Sequence, residues 1–112
     1  MRYIPHIPQN ISQLMDLLGS MMLGAPNFKD RTGYFPQKNI DTEFFALNEG
    51  LLALRKKLGD DRYATLKALS DKMRALFEAD PENKTGDTKA GRKIIHEMED
   101  ILTGATKRKG SV

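Results

Sequence analysis

One segment of the chain has the glycine spacing of a phosphate-binding loop. It reads GDTKAGRK and begins at Gly86, with a second glycine five residues later and two cations after it. A P-loop requires G-x-x-x-x-G-K-[ST] after a buried strand, so that backbone N–H groups and the lysine surround the phosphates. Here Arg92 replaces the lysine, Lys93 replaces the magnesium-binding hydroxyl, and the preceding residues are polar. The segment therefore predicts a turn followed by a helix capped by Asp87 or Thr88, and not a nucleotide site.

A second segment, HEMED at residues 96–100, resembles the H-E-x-x-H pattern of zinc proteases. Asp100 takes the place of the second histidine, and it shares a helix face with His96 because the two are four residues apart. That face points away from the apolar residues of the segment, and the sequence offers no third ligand. We therefore expect a His–Asp pair on a solvated face, and neither a metal nor another cofactor.

The remaining residues give no positive indication of catalysis. The chain has no cysteine, which excludes disulfides, thiolate metal sites and a cysteine nucleophile. Its only other histidine, His6, has no serine or threonine partner that the sequence suggests. The acidic residues lie at helix starts and on polar faces, where they suit caps and solvent. The sequence therefore predicts a protein that is not an enzyme.

The elements that would position these residues are helical. Apolar residues recur every three to four positions in four segments, and no segment alternates over the length of a strand. Asn10 is the expected N-cap of the first helix, and Gly104 is expected to end the last. Asp41 is the expected cap of the second helix, where Ile40 is expected to form a hydrophobic staple with Phe45. One or two residues separate the second and third helices, which predicts an antiparallel hairpin. The prediction is an all-α four-helix bundle forming one domain over residues 1–104, with helices at about 11–23, 42–58, 61–79 and 88–102.

The two ends of the chain differ from this body. Two prolines keep residues 1–9 extended, and the apolar side chains of this arm predict packing on the bundle or on a second copy. Residues 105–112 are expected to be a disordered tail. The whole excess of the +3 net charge lies there, in Lys107, Arg108 and Lys109, because the rest of the chain has 15 basic and 15 acidic residues. A nucleic-acid-binding domain carries such an excess on its folded surface, so this distribution argues against one.

The connection between the first two helices, residues 25–40, is long for a helical bundle, where about 2–8 residues are typical. It contains Phe28, Tyr34 and Phe35, with Arg31 among them. In one interpretation the aromatic residues pin an ordered loop across the open end of the bundle. In the other, these four residues present a partner-binding patch, because aromatic residues and arginine are enriched at binding hot spots.

These observations predict a non-catalytic, cytoplasmic protein-interaction module of bacterial type, acting as a regulator or inhibitory partner of another protein. The partner is another protein or a second copy of the chain, and not a membrane, since no apolar run approaches the roughly 20 residues of a span. One alternative is a weak nucleic-acid binder that uses the basic tail and a helical cluster. That cluster comprises Arg55, Lys56, Lys57 and Arg62. The other alternative is an enzyme with its site under the long loop, and the sequence names no reaction for it.

Overall fold

Five helices form the described part of the chain in the computed structural model, which covers residues 5–28 and 38–106; no strand occurs within these ranges. The all-α prediction is therefore confirmed. The helix α4 packs on α5 and α2, and α1 packs on α2 and α5, around a shared apolar core. The helices are α1 (Ile11–Gly24), α2 (Ile40–Ala53), α3 (Arg55–Leu58), α4 (Asp60–Ala79) and α5 (Asp87–Thr106).

The starts of the first two helices are fixed by asparagine caps. Asn10 accepts a hydrogen bond from the Gln13 backbone N–H at 2.8 Å, as the sequence predicts for α1. For α2 the cap is Asn39, which forms a capping box with Thr42 through bonds of 3.0 and 3.1 Å. The helix therefore begins two residues before the predicted start, and Asp41 lies inside its first turn.

The second predicted helix is divided at Leu54. This residue has φ −99° and ψ 8°, outside the usual helical values, and it separates α2 from α3. Its N–H still donates to the Gly50 carbonyl at 3.1 Å, and its carbonyl accepts from Leu58 at 2.9 Å. Leu54 is therefore hydrogen-bonded to both α2 and α3, although regular helix geometry is interrupted at this residue.

The connection between α4 and α5 is organised by the buried carboxylate of Asp80. Its oxygens accept hydrogen bonds from the backbone N–H groups of Lys84, Thr85 and Thr88 at 2.6, 3.1 and 3.1 Å. Burial raises the pKa of Asp80, but the N–H groups of Lys84, Thr88 and Thr85 outweigh it and lower the pKa to about 2. The first two N–H groups of α5 thus bond to the side chains of Thr85 and Asp80, and the cap does not come from Asp87 or Thr88 as predicted.

Three phenylalanine rings meet at one end of the core. Phe28 lies edge-on to Phe44 and Phe77, with ring centroids 5.9 and 5.5 Å apart, and Phe44 lies 6.4 Å from Phe77. The α5 backbone comes close to this cluster at Gly91, where an added Cβ would lie within 2.9 Å of three atoms of the Phe77 ring. A glycine at this position therefore permits the close contact between α4 and α5.

The ends of the described chain differ in part from the predictions. Pro8 of the arm is buried, and its ring lies against Gly50 of α2, so the described part of the arm packs on the bundle. Helix α5 does not end before Gly104 but continues to Thr106, because helix interiors tolerate glycine at modest cost. Residues 107–112, most of the predicted tail, lie outside the described residues. No helix in the described ranges combines the length and apolarity of a membrane span.

Candidate interaction surface

The long connection between α1 and α2 contains the first candidate surface. Phe28 is only 1% exposed, and its ring is packed against Phe44 and Phe77. This corrects the prediction that Phe28 belongs to an exposed partner-binding patch, because its apolar surface is used inside the core. Arg31, Tyr34 and Phe35 lie outside the described residues, so their role in partner binding stays a prediction.

The second candidate surface is the basic cluster around α3. The Nε atom of Arg55 lies 3.0 Å from a carboxylate oxygen of Asp60, and its guanidinium lies 5.1 Å from the centre of the Tyr63 ring. Arg62 donates to the Leu58 carbonyl at 3.3 Å. Both arginines thus stabilise the turn between α3 and α4. The exposed cations without such a structural role are Lys56 and Lys57, whereas Lys107, Arg108 and Lys109 lie outside the described residues.

The phosphate-loop-like segment has a structural role. Gly86 has φ 92°, a value that favours glycine, and it forms the predicted turn. Arg92, at the position of a P-loop lysine, reaches across to the end of α1. It donates hydrogen bonds to the backbone carbonyls of Met22 and Ala25, each at 3.2 Å. These carbonyls are among those that a helix end leaves without a partner, so Arg92 acts as a cap for α1.

His96 and Asp100 of the HEMED segment lie on a solvated face, and the histidine pairs within the helix. The Nδ1 atom of His96 lies 3.1 Å from a carboxylate oxygen of Glu99. This corrects the predicted partner, Asp100, because the longer side chain at i+3 reaches the ring. Within residues 5–28 and 38–106, no three His, Asp or Glu side chains are grouped so that they could hold a metal ion.

A cavity of about 420 Å³ lies between the arm, α1 and α2. Its walls include His6 and Pro8 of the arm, Asp16 of α1, and Lys38 and Glu43 near the start of α2. The Nζ atom of Lys38 lies 3.9 Å from the buried carboxylate of Glu43. The His6 ring is hydrogen-bonded to the Gln13 side chain at 3.1 Å, so it is not set against a hydroxyl as a general base would be.

A different surface lies on the outside of α2. Phe45 and Leu52 are 54% and 51% exposed, although Phe44 and Leu51 beside them are fully buried. Phe45 and Leu52 are seven residues apart, so they lie on one face, two turns from each other. A helix that is apolar on both faces is expected to be covered on both. Helix α2 thus packs one apolar face on the core and presents two large apolar side chains to solvent on the other.

The sequence predicts Phe45 as the staple partner of Ile40, which is wrong. A staple joins the residue before the N-cap to the fourth residue of the helix. Because the cap is Asn39 instead of Asp41, those two positions hold Lys38 and Glu43, which form an ion pair. Phe45 therefore does not occupy the staple position, and its side chain is exposed to solvent.

Charged residues extend the exposed apolar pair in both directions. We call the whole line the outer stripe; its members in α2 span about 80° of the helix circumference at 100° per residue, and Lys56 follows in α3, beyond the break at Leu54. All of them are exposed. Asp41, at one end, also accepts a hydrogen bond from Arg74 of α4. The outer stripe consists of Asp41, Phe45, Glu49, Leu52 and Lys56.

The comparisons with known proteins add no relative to this geometry. No protein-family model, curated protein or solved structure matches the chain.

Proposed function

We propose that the protein is a non-catalytic protein-interaction module that binds its partner through the outer stripe. The observation that carries this proposal is the half-exposure of Phe45 and Leu52 on one helix face. Fully burying a phenylalanine or leucine side chain is favourable by about 1.5–3 kcal/mol, so covering both exposed halves would contribute about 2 kcal/mol. An exposed apolar surface bordered by polar residues is typical of binding sites.

A regulator or inhibitory partner of another protein fits the chemistry of the described residues better than an enzyme does. His6, His96 and Arg92 each make hydrogen bonds within the chain, to Gln13, Glu99 and the end of α1. Each of these side chains therefore hydrogen-bonds to another part of the chain, whereas a catalytic side chain would have to contact a substrate. The sequence without cysteine is compatible with the reducing cytoplasm, which is the compartment we propose.

In this proposal the helices form a four-helix bundle, in which α2 and α3 act as one helix and make an antiparallel hairpin with α4. Two side-chain contacts support the hairpin. Asp41 near the start of α2 pairs with Arg74 late in α4, and Asn48 accepts from Ser70 at 2.8 Å. Partners that converge toward the short connection at Gly59 are typical of antiparallel neighbours. The hairpin holds the inner face of α2 against α4 and so leaves the outer stripe open.

Site-specific photo-crosslinking in cells tests the proposed surface. A photoreactive phenylalanine analogue is placed at Phe45, at Leu52 and, as a control, at the exposed Thr65 of α4. We expect positions 45 and 52 to give an adduct with the same protein, identified by mass spectrometry, and position 65 to give none. Adding Leu52→Ser should remove the adduct at 45. Equal crosslinking at all three positions, or none at 45 and 52, would show that the stripe is not a specific surface.

A further inference from the structure

We propose that the cavity between the arm, α1 and α2 binds a small organic cation, in which an ammonium group is joined to a short apolar body. This site goes beyond the proposed function, because Glu43 and Ala46, the residues of α2 that line the cavity, are buried, whereas the outer stripe is exposed. The cavity volume of about 420 Å³ lies within the range of about 300–1,000 Å³ that is usual for ligand pockets. The cavity is partly open to solvent, so a ligand can enter it.

The walls combine apolar surface with a few charged groups, which is the usual composition of a small-molecule site. Pro8 of the arm and Ala46 of α2 are buried wall residues, and Leu17 of α1 is half-buried. The contact between the Pro8 ring and Gly50 of α2 holds the arm against the bundle. These side chains therefore provide a surface on which the apolar body of a ligand can pack.

The charged groups of the described wall indicate the charge of the ligand. They are two carboxylates, Asp16 and Glu43, and one ammonium group, Lys38, while His6 counts as neutral. The Nζ atom of Lys38 lies 3.9 Å from a carboxylate oxygen of Glu43, so these two charges offset each other. Among the described residues, no hydrogen bond or ion pair involves the side chain of Asp16. The described wall thus has one excess negative charge, which attracts a cation.

The burial of Glu43 adds to this preference. Its side chain is 5% exposed, whereas the side chain of Lys38 is 29% exposed. Water and salt screen the charge of a buried group less than that of a more exposed one. Inside the cavity, the carboxylate of Glu43 is therefore screened less than the ammonium group of Lys38. A bound cation would interact with two carboxylates, whereas a bound anion would have only a lysine that is already paired.

Nuclear magnetic resonance titration of the full chain tests the site with probes of nearly equal size and different charge. They are phenethylamine, the neutral phenethyl alcohol and the anionic phenylacetate, each added at about pH 8, above the usual range of histidine titration. We expect phenethylamine to shift the backbone amide signals of Gln13, Ser20 and Ala46, with a dissociation constant on the order of 1 mM. The alcohol should bind at least about 3-fold more weakly than the amine, and the anion more weakly still.

Substitutions of charged wall residues test the electrostatic argument. Asp16→Asn should weaken the binding of phenethylamine about 2–5-fold and leave the binding of the alcohol unchanged. Asp61→Asn is the matched control, because it makes the same change at an exposed position of α4 outside the cavity. Lys38→Gln removes the competing cation and should tighten the binding of phenethylamine about 2–5-fold. A general loss of structure would not produce opposite effects from two substitutions in one cavity.

Gly50→Leu tests the arm as a wall of the cavity. The Pro8 ring fills the space beside Gly50, where an added Cβ would lie 3.0 Å from the Cδ atom of the ring. A leucine at this position must displace the arm, so the amine and the alcohol should both bind at least about 5-fold more weakly. Circular dichroism of each variant shows whether the bundle remains folded.

The same ammonium chemistry occurs in free amines and in the lysine side chains of other proteins. The probe for the second source is Nα-acetyl-lysine amide, which carries its ammonium group on a flexible chain with polar amide groups. We expect it to bind at least about 3-fold more weakly than phenethylamine, because ordering the chain costs entropy and the amide groups lose water against apolar walls.

The absence of saturable signal shifts with phenethylamine up to about 10 mM would overturn the proposal. Equal affinities for the amine and the alcohol would also overturn it, as would tighter binding of phenylacetate or of Nα-acetyl-lysine amide. Equal effects of Asp16→Asn and Asp61→Asn would contradict the electrostatic argument. None of these titrations involves the outer stripe, so their failure would leave the photo-crosslinking test of the proposed function unaffected.

Discussion

Replacing Gly91 by alanine adds a single methyl group at the closest contact between α5 and α4. The new Cβ would lie within 2.9 Å of the Cε1, Cζ and Cδ1 atoms of Phe77. Carbon atoms in favourable contact are about 3.5–4.0 Å apart, so the ring and the helix must separate by roughly 1 Å. The ring has little freedom to move, because Phe28 and Phe44 pack against it with centroids 5.5 and 6.4 Å away.

Two effects of opposite sign set the magnitude. Extra volume in a well-packed core costs about 1–3 kcal/mol. Alanine is about 0.8–1 kcal/mol better than glycine in a helix interior. Because the confined ring puts the packing cost near the top of its range, we expect Gly91→Ala to lower the free energy of unfolding by up to about 2 kcal/mol. The matched control is Gly104→Ala in the same helix, where an added Cβ meets no atom within 4 Å. Gly104→Ala has only the favourable effect of the higher helix propensity of alanine. It should therefore leave the free energy of unfolding unchanged or raise it by up to about 1 kcal/mol.

Urea denaturation followed by circular dichroism measures both variants. With a slope of about 1–2 kcal/mol per molar urea, Gly91→Ala should lower the midpoint by about 1 M. Replacing the Phe77 ring by the smaller leucine side chain should relieve the clash. The double variant should therefore lose less free energy of unfolding than the sum of the losses of the two single variants. If Gly91→Ala stabilises the protein as much as Gly104→Ala does, the close contact with Phe77 is not what requires the glycine.

Three further changes test the fold and the surface. Asp80→Asn should destabilise the protein at neutral pH; because the pKa of Asp80 is lowered from 3.8 to about 2, its stabilisation is complete above about pH 4. The difference between variant and parent in thermal unfolding should therefore shrink as the pH falls from 4 toward 2. Phe45→Ser with Leu52→Ser should change the free energy of unfolding by about 0.5 kcal/mol or less per site, whereas the buried Leu51→Ala should cost about 2–5 kcal/mol in urea denaturation. Deleting residues 105–112 should not change DNA or RNA retention at low salt, measured by filter binding; loss of a steeply salt-dependent interaction would favour the nucleic-acid alternative.

The spacing of the apolar residues predicts the helices, but it does not predict how the helices are interrupted, connected and packed. Leu54 divides α2 from α3 without a glycine or proline to indicate it. The role of Asp80 depends on a turn that brings Thr88 back to its carboxylate, eight residues along the chain. Gly91 reads as an ordinary helix glycine, because the ring that requires it belongs to another helix. Each of these features depends either on a residue that is distant in sequence or on the backbone geometry, and the local pattern of residue types indicates neither.

The surface was predicted less well than the fold for a related reason. Residue type alone assigns Phe28 to a binding patch, yet its ring completes the aromatic cluster of the core. The prediction that Phe45 packs at the start of α2 depends on Asp41 as the cap of the helix. The signal for the true cap was present in the pair Asn39 and Thr42, since an asparagine three residues before a hydroxyl forms a reciprocal cap. An error of two residues at a helix start thus hid the exposed apolar face.

The outward position of Phe45 and Leu52 is informative because the fold does not require it. The inner face of α2 is held by fully buried Phe44 and Leu51, and Asn48 is tied to α4 through Ser70. Polar residues at 45 and 52 would leave those contacts intact and would remove apolar surface from water. Large apolar side chains in such positions lower solubility and add little to folding, so their stabilising effect is realised only when a partner covers them. This exposed position is the reason why we propose binding as the function of this face of α2.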